Sequence, residues 1–131
     1  MRERPASRAF DVHKYQSLEA WKRAHRAALV AHRATDAAYH PKSRDLFNQI
    51  RRAAASVEAN VVEGYALGTT PQFIRHLRIA LGSAAEAESL ARLAAELGYL
   101  SMETAHELEG LLGGAMMAIR GLLRSPPARK S

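Results

Sequence analysis

Two groups of side chains in this 131-residue sequence could do chemistry. Arg23, Arg26, Arg33, Lys42, Arg44 and Arg51 are cations of the kind that hold phosphate oxygens while reading little base sequence. Gln49, Arg52, Ser56, Asn60 and Glu63 recur at steps of three, four, four and three, so a helix sets them on one face. Every member of that face can hydrogen-bond. A solvated face is usually Lys, Glu and Arg in loose order. This ordered file of amide, guanidinium, hydroxyl, amide and carboxylate suits polar contact with another helix instead.

Catalytic and metal chemistry find little support. A di-iron site in a helix bundle needs two Glu-x-x-His motifs and two further inward glutamates. Only Glu103-x-x-His106 has that spacing. His25 and His32 are seven apart, roughly 10 Å along a helix axis, which is too far to share one ion. No serine has a base and an orienting acid in pattern. Gly110 to Gly114 lacks the lysine and hydroxyl residue that close a phosphate loop. The expectation is no enzyme, no metal and no cofactor.

Composition narrows the setting. The net charge is +6 with no cysteine, which excludes disulfides and thiolate metal sites and fits a reducing cytoplasm. The charge is uneven. Residues 1–52 hold twelve Lys and Arg against five Asp and Glu, and residues 53–131 hold seven against eight. A basic half attracts nucleic acid or anionic surfaces. The longest apolar run, Leu111 to Ile119, is far short of the ~20 residues that span a membrane. No secretory signal pattern is visible.

The elements that must position these side chains read as helices. Residues 1–14 carry Arg2, Arg4, Arg8 and Lys14 without periodicity and are expected to form a flexible basic arm. Ser17 is the expected cap of a first helix whose apolar stripe includes Leu18, Trp21, Ala24, Ala28 and Ala31. Trp21, the only tryptophan, lies on that stripe and reads as a packing anchor. Pro41 ends the helix. Ser43 is the expected cap of the second helix, which runs to about Ala66. Its apolar stripe, Ile50, Ala54, Val57, Val61 and Tyr65, lies about 140° from the polar one. Gly68 ends it, Thr70-Pro71 restarts the chain, and Gly98 ends the third helix. Ser101 caps a fourth helix to about Arg124, and residues 125–131 form a flexible tail. Short connections make the fold all-α, an antiparallel up-down-up-down four-helix bundle over residues 15–124.

In that arrangement helices 2 and 3 place residues whose numbers sum to about 135 at one height. Two cross-helix ion pairs follow, Arg52–Glu86 and Glu63–Arg75, within one chain or between chains. Gly82 in mid-helix costs about 1 kcal/mol relative to alanine. Close approach of another backbone is the usual reason for such a residue.

The motifs taken together resemble a family. They are Leu18-x-x-Trp21, Tyr39-His40-Pro41, Gln49-Ile50-Arg51-Arg52-Ala53-Ala54 with Ser56, Asn60-x-x-Glu63-Gly64, Phe73-x-x-x-Leu77, Ala80-x-Gly82-Ser83 with Glu86, and Leu97-Gly98-Tyr99-Leu100. In order and spacing they look like the bacterial four-helix-bundle proteins named for intervening sequences in large-subunit ribosomal RNA genes. The resemblance covers residues 15 to 124. It implies a ring-like homopentamer and kinship with the accessory protein of diversity-generating retroelements, a basic pentamer that binds a reverse transcriptase and nucleic acid. The sequence departs from the family in having Val57-Glu58-Ala59 where a proline is frequent, and alanines at 84, 85 and 87 where larger residues are common. Two function classes follow: an oligomer associated with RNA or DNA, or an oligomeric scaffold for a protein partner such as a reverse transcriptase.

Overall fold

The computed structural model describes residues 11–38 and 40–127. Four helices account for most of them: α1 Glu19–Ala37, α2 Arg44–Ala66, α3 Thr70–Glu96 and α4 Met102–Arg124. Two short 3₁₀ helices, Val12–Ser17 and Pro41–Ser43, precede α1 and α2. α1 packs against α2 and α4, and α3 against the same two, so α1 and α3 occupy opposite corners. The cross-helix bonds give the direction. His25 meets Glu58 while Asp36 meets Arg51, and Asn60 meets His76 while Ser56 meets Ser83. Numbers rise on one helix as they fall on the next, so neighbours are antiparallel, as expected of the up-down bundle.

The core is built from few large side chains and many alanines. Phe47, Phe73, Ile50, Leu77, Leu108, Leu112 and Ile119 fill it, with Val57 and Val61 from the apolar stripe of α2. Between them sit Ala24, Ala27, Ala31, Ala54, Ala80, Ala84, Ala87, Ala91 and Ala94, all fully enclosed. Alanine buries little area but lets helix axes approach closely, and it favours the helix locally. Ala84 and Ala87, two of the departures from the family pattern, therefore lie in the core and not on a free face. No described helix is long and apolar enough to cross a membrane.

The helix ends follow the glycine reading and depart from the hydroxyl reading. Gly68 and Gly98 both take φ +82°, the left-handed conformation that closes α2 and α3. Ser101 Oγ accepts from the Thr104 N–H and caps α4 as expected. Ser17 does not cap α1: its hydroxyl donates to the Lys14 carbonyl, closing the 3₁₀ turn, and Leu18 holds the cap position. Ser43 precedes α2 but makes no bond to it. Its hydroxyl instead closes a reciprocal pair with His40, 2.9 Å to the carbonyl and 3.3 Å from the N–H. Thr70 is already helical, with Thr69 at the cap position. For both serines a local turn captured the hydroxyl before the helix could. Val12–Ser17 also gives structure to the last residues of the expected arm and packs on α2. The rest of the arm, residues 1–10, and the tail at 128–131 lie outside the described residues.

Candidate nucleic-acid and assembly surfaces

The six candidate phosphate-binding cations separate into two groups. Arg23 is tied down: its Nη1 donates to the Gly114 carbonyl at 3.0 Å and its Nε to Glu19 at 3.3 Å. The arginine packs over Gly114, its Cδ 3.6 Å from where a Cβ would stand, an ordinary contact distance. Arg51 is also held, by Asp36 at 3.0 Å and Asn48 at 3.3 Å. Both therefore carry a structural role that their spacing alone does not show. These two arginines hold α1 to α4 and α1 to α2. The side chains of Arg26, Arg33, Lys42 and Arg44 are exposed and make no hydrogen bond or ion pair among the described residues.

Arg26 and Arg33 are seven apart on α1, and Lys22, four before Arg26, completes their file. Sequence reasoning passed over Lys22, although the spacing was legible. The three cations span about 16 Å of one helix face. The two acids of α1, Glu19 and Asp36, are the ones engaged by Arg23 and Arg51. The outer face of α1 therefore carries positive charge that no ion pair among the described residues offsets.

The polar file of α2 meets α3 over half its length. Ser56 Oγ is 2.9 Å from Ser83 Oγ, and Asn60 Nδ2 donates to both the carbonyl and the hydroxyl of Ser56. Asn60 Oδ1 then faces His76 Nδ1 at 3.0 Å, so that ring nitrogen carries the proton. Sequence reasoning missed His76, which is 6% exposed. Its place beside Phe73 and Leu77, opposite Asn60 by the height rule, was the available signal. Gly64 makes the contact possible. A Cβ there would stand 2.6 Å from the His76 Cβ and 3.2 Å from the Phe73 ring. Gly64→Ala must therefore force α2 and α3 apart. It is expected to destabilise the fold by about 1–3 kcal/mol despite alanine's helix preference, measured as a lower urea midpoint.

The other end of the file stays open. Gln49, Arg52, Ala53, Ser56, Ser83 and Glu86 line a groove of about 310 Å³. Arg52 and Glu86 both reach it, but neither is paired within the chain among the described residues, and Arg75 is likewise unpaired. Glu63 lies 3.9 Å from His76, not against Arg75. The in-chain versions of both expected ion pairs are thus absent. Long exposed side chains gain only ~0–1 kcal/mol from pairing and lose rotamer freedom, so nothing compels them to close. Gly82 is exposed, and a Cβ there would meet nothing within 4 Å, so the expected close approach does not occur inside the chain. Ile79 and Leu93, on the same face of α3, are 41% and 44% exposed.

The remaining candidates have structural partners. His25 stacks on Trp21 at 4.7 Å and meets Glu58 at 2.9 Å, and Trp21 is half-buried against the core. His32 bonds the Ala28 carbonyl, and His106 approaches Glu109 at 3.8 Å. Among the described residues no group of three or more His, Asp or Glu could hold a metal ion.

Comparison with known proteins places the chain. None of the curated proteins matches it. Among solved structures, one of a protein with unknown function from the S23 ribosomal protein family of Bacteroides thetaiotaomicron superposes with a TM-score of 0.73 at 20% identity. The superposition covers 81% of this chain and 99% of that one, and supports the fold. The family model described as 23S rRNA-intervening sequence protein matches residues 16–120. With the motifs in register and the bundle they build now described, the chain belongs to the 23S rRNA-intervening sequence protein family.

Proposed function

We propose that the protein is a non-enzymatic homo-oligomer of the cytoplasm that associates with RNA or DNA through the outer face of α1. One observation carries this reading: Lys22, Arg26 and Arg33 share one exposed helix face with no acidic partner among the described residues. Lys42 and Arg44 extend the positive surface at the α1–α2 turn. Such a surface grips phosphates and leaves sequence unread. Three cations from a single chain give weak binding. Assembly multiplies them along one strand, because each later contact is intramolecular. The resemblance implies five copies in a ring. The open groove holding Arg52 and Glu86, with Gln49 and Gly82 beside it, is the surface offered to another copy.

Fluorescence anisotropy of labelled duplex RNA at 50 and 200 mM salt tests the reading. The expected result is a steep, near-linear fall of log affinity with log salt. Absence of binding at 50 mM salt would rule the reading out. It would favour the scaffold alternative, in which Ile79 and Leu93 meet a protein partner such as a reverse transcriptase.

A further inference from the structure

The end of the bundle where α1 and α3 finish carries a pocket that the basic stripe does not explain. It holds about 470 Å³ and lies between the α1–α2 turn, with Ala37, Ala38, His40 and Lys42, and the α3–α4 turn, with Leu97 and Tyr99. Two of the motifs that carry the family resemblance, more than fifty residues apart in sequence, thus contribute to one cavity.

Its lining has a definite chemistry. Among the described residues no carboxylate side chain lines it. The Lys42 ammonium has no partner among the described residues. The His40 Nδ1 accepts the Lys42 backbone N–H at 3.1 Å, so the neutral ring carries its proton on Nε2 as a donor. The Tyr99 hydroxyl also makes no hydrogen bond among the described residues, while its ring is fixed edge-on against Phe47 at 6.5 Å. Leu97 is 54% exposed and adds an apolar wall. α1 ends at Ala37 and Leu97 is the last-turn cap of α3, where the turn N–H groups of Leu97, Gly98 and Tyr99 already occupy the carbonyls of Leu93, Ala95 and Ala94. The cavity therefore offers cationic and neutral donors and an apolar wall. Its size is that of a small-molecule site.

We propose that this pocket takes an unpaired nucleotide, with the phosphate on Lys42 and the base against Leu97 and Tyr99. The proposal rests on the nucleic-acid reading and refines it. The stripe from Lys22 through Arg26 to Arg33 runs toward the pocket, and Ala37 stands one helical turn beyond Arg33, about 6 Å. A backbone following the stripe delivers its next nucleotide there. A paired base cannot enter, whereas a bulged or looped one can be splayed out and stacked. The same chemistry would accept a free nucleoside monophosphate.

The test compares a fully paired RNA, the same RNA with one bulged nucleotide, and free adenosine 5′-monophosphate. Anisotropy reads the two RNAs, and amide chemical shifts at Ala37, Lys42, Leu97 and Tyr99 read the mononucleotide. The expected result is about tenfold tighter binding of the bulged RNA, the order of one stacked base. Leu97→Asp, at an exposed position, is expected to abolish that preference and leave duplex affinity within about twofold, with unchanged helicity as the fold control. Equal affinity for both RNAs, with no shifts from the mononucleotide, overturns the pocket and leaves the basic stripe intact. A preference that survives Leu97→Asp also overturns it. Shifts from the mononucleotide without binding of either RNA support the pocket as a free-nucleotide site and overturn the basic-stripe reading.

Discussion

Replacing Lys22, Arg26 and Arg33 together by alanine lowers affinity for duplex RNA by about 10²–10³-fold at 0.1 M salt and flattens its salt dependence. The magnitude follows from counterion release: each lost phosphate contact removes about 0.9 from the slope and about tenfold in affinity at that salt. If several copies engage one RNA, the loss is larger. The fold should not suffer, because these side chains are exposed, make no bonds among the described residues, and give way to the best helix former. The matched control is Arg23→Ala with Arg51→Ala. These arginines are spent on Gly114, Glu19, Asp36 and Asn48, so their loss should lower the melting temperature more than the affinity. If the control pair weakens binding as much as the triple substitution, the face of α1 is not the binding surface.

The second large effect concerns the open groove between α2 and α3. Arg52→Glu should leave the chain folded, since Arg52 is exposed and unpaired, yet break the assembly by setting a second carboxylate beside Glu86. Like charges brought together at an interface cost several kcal/mol, enough to turn a micromolar complex into monomers at working concentrations. Glu86→Arg should do the same, and the double exchange should restore the assembly, because the pair re-forms with its signs reversed. Sedimentation velocity reads all three variants. Failure of the double exchange to restore size would mean that Arg52 and Glu86 do not meet across copies. Gly82→Ala separates the chain from the assembly in another way. A Cβ at that open position should stabilise the isolated chain by about 1 kcal/mol and weaken packing against a second copy.

Much of the fold was legible because it depends on local periodicity and on glycine. The stripe of Ile50, Ala54, Val57 and Val61 is buried as its spacing requires, and Gly68 and Gly98 end their helices in the left-handed conformation. Hydroxyl caps were less legible. Ser17 and Ser43 each had a competing turn within three residues, and sequence spacing does not rank the two. The polar stripe was legible as a helix contact, and Ser56 and Asn60 make one. Its partners were not. Which side chain of α3 faces Asn60 depends on helix rotation, and that is set by the close approach at Gly64. The pairing within the basic set was not legible for the same reason: a charge count shows how many cations there are, but only the packed bundle shows that Arg23 and Arg51 also hold in-chain partners.

A stripe of three cations per chain matters only if several chains present it to one nucleic acid, so native mass spectrometry of the untagged protein is the most direct test. A discrete complex at a whole multiple of 14.4 kDa, five-fold as the family resemblance implies, is the expected result. A lone 14.4 kDa species persisting at tens of micromolar in low salt would contradict it.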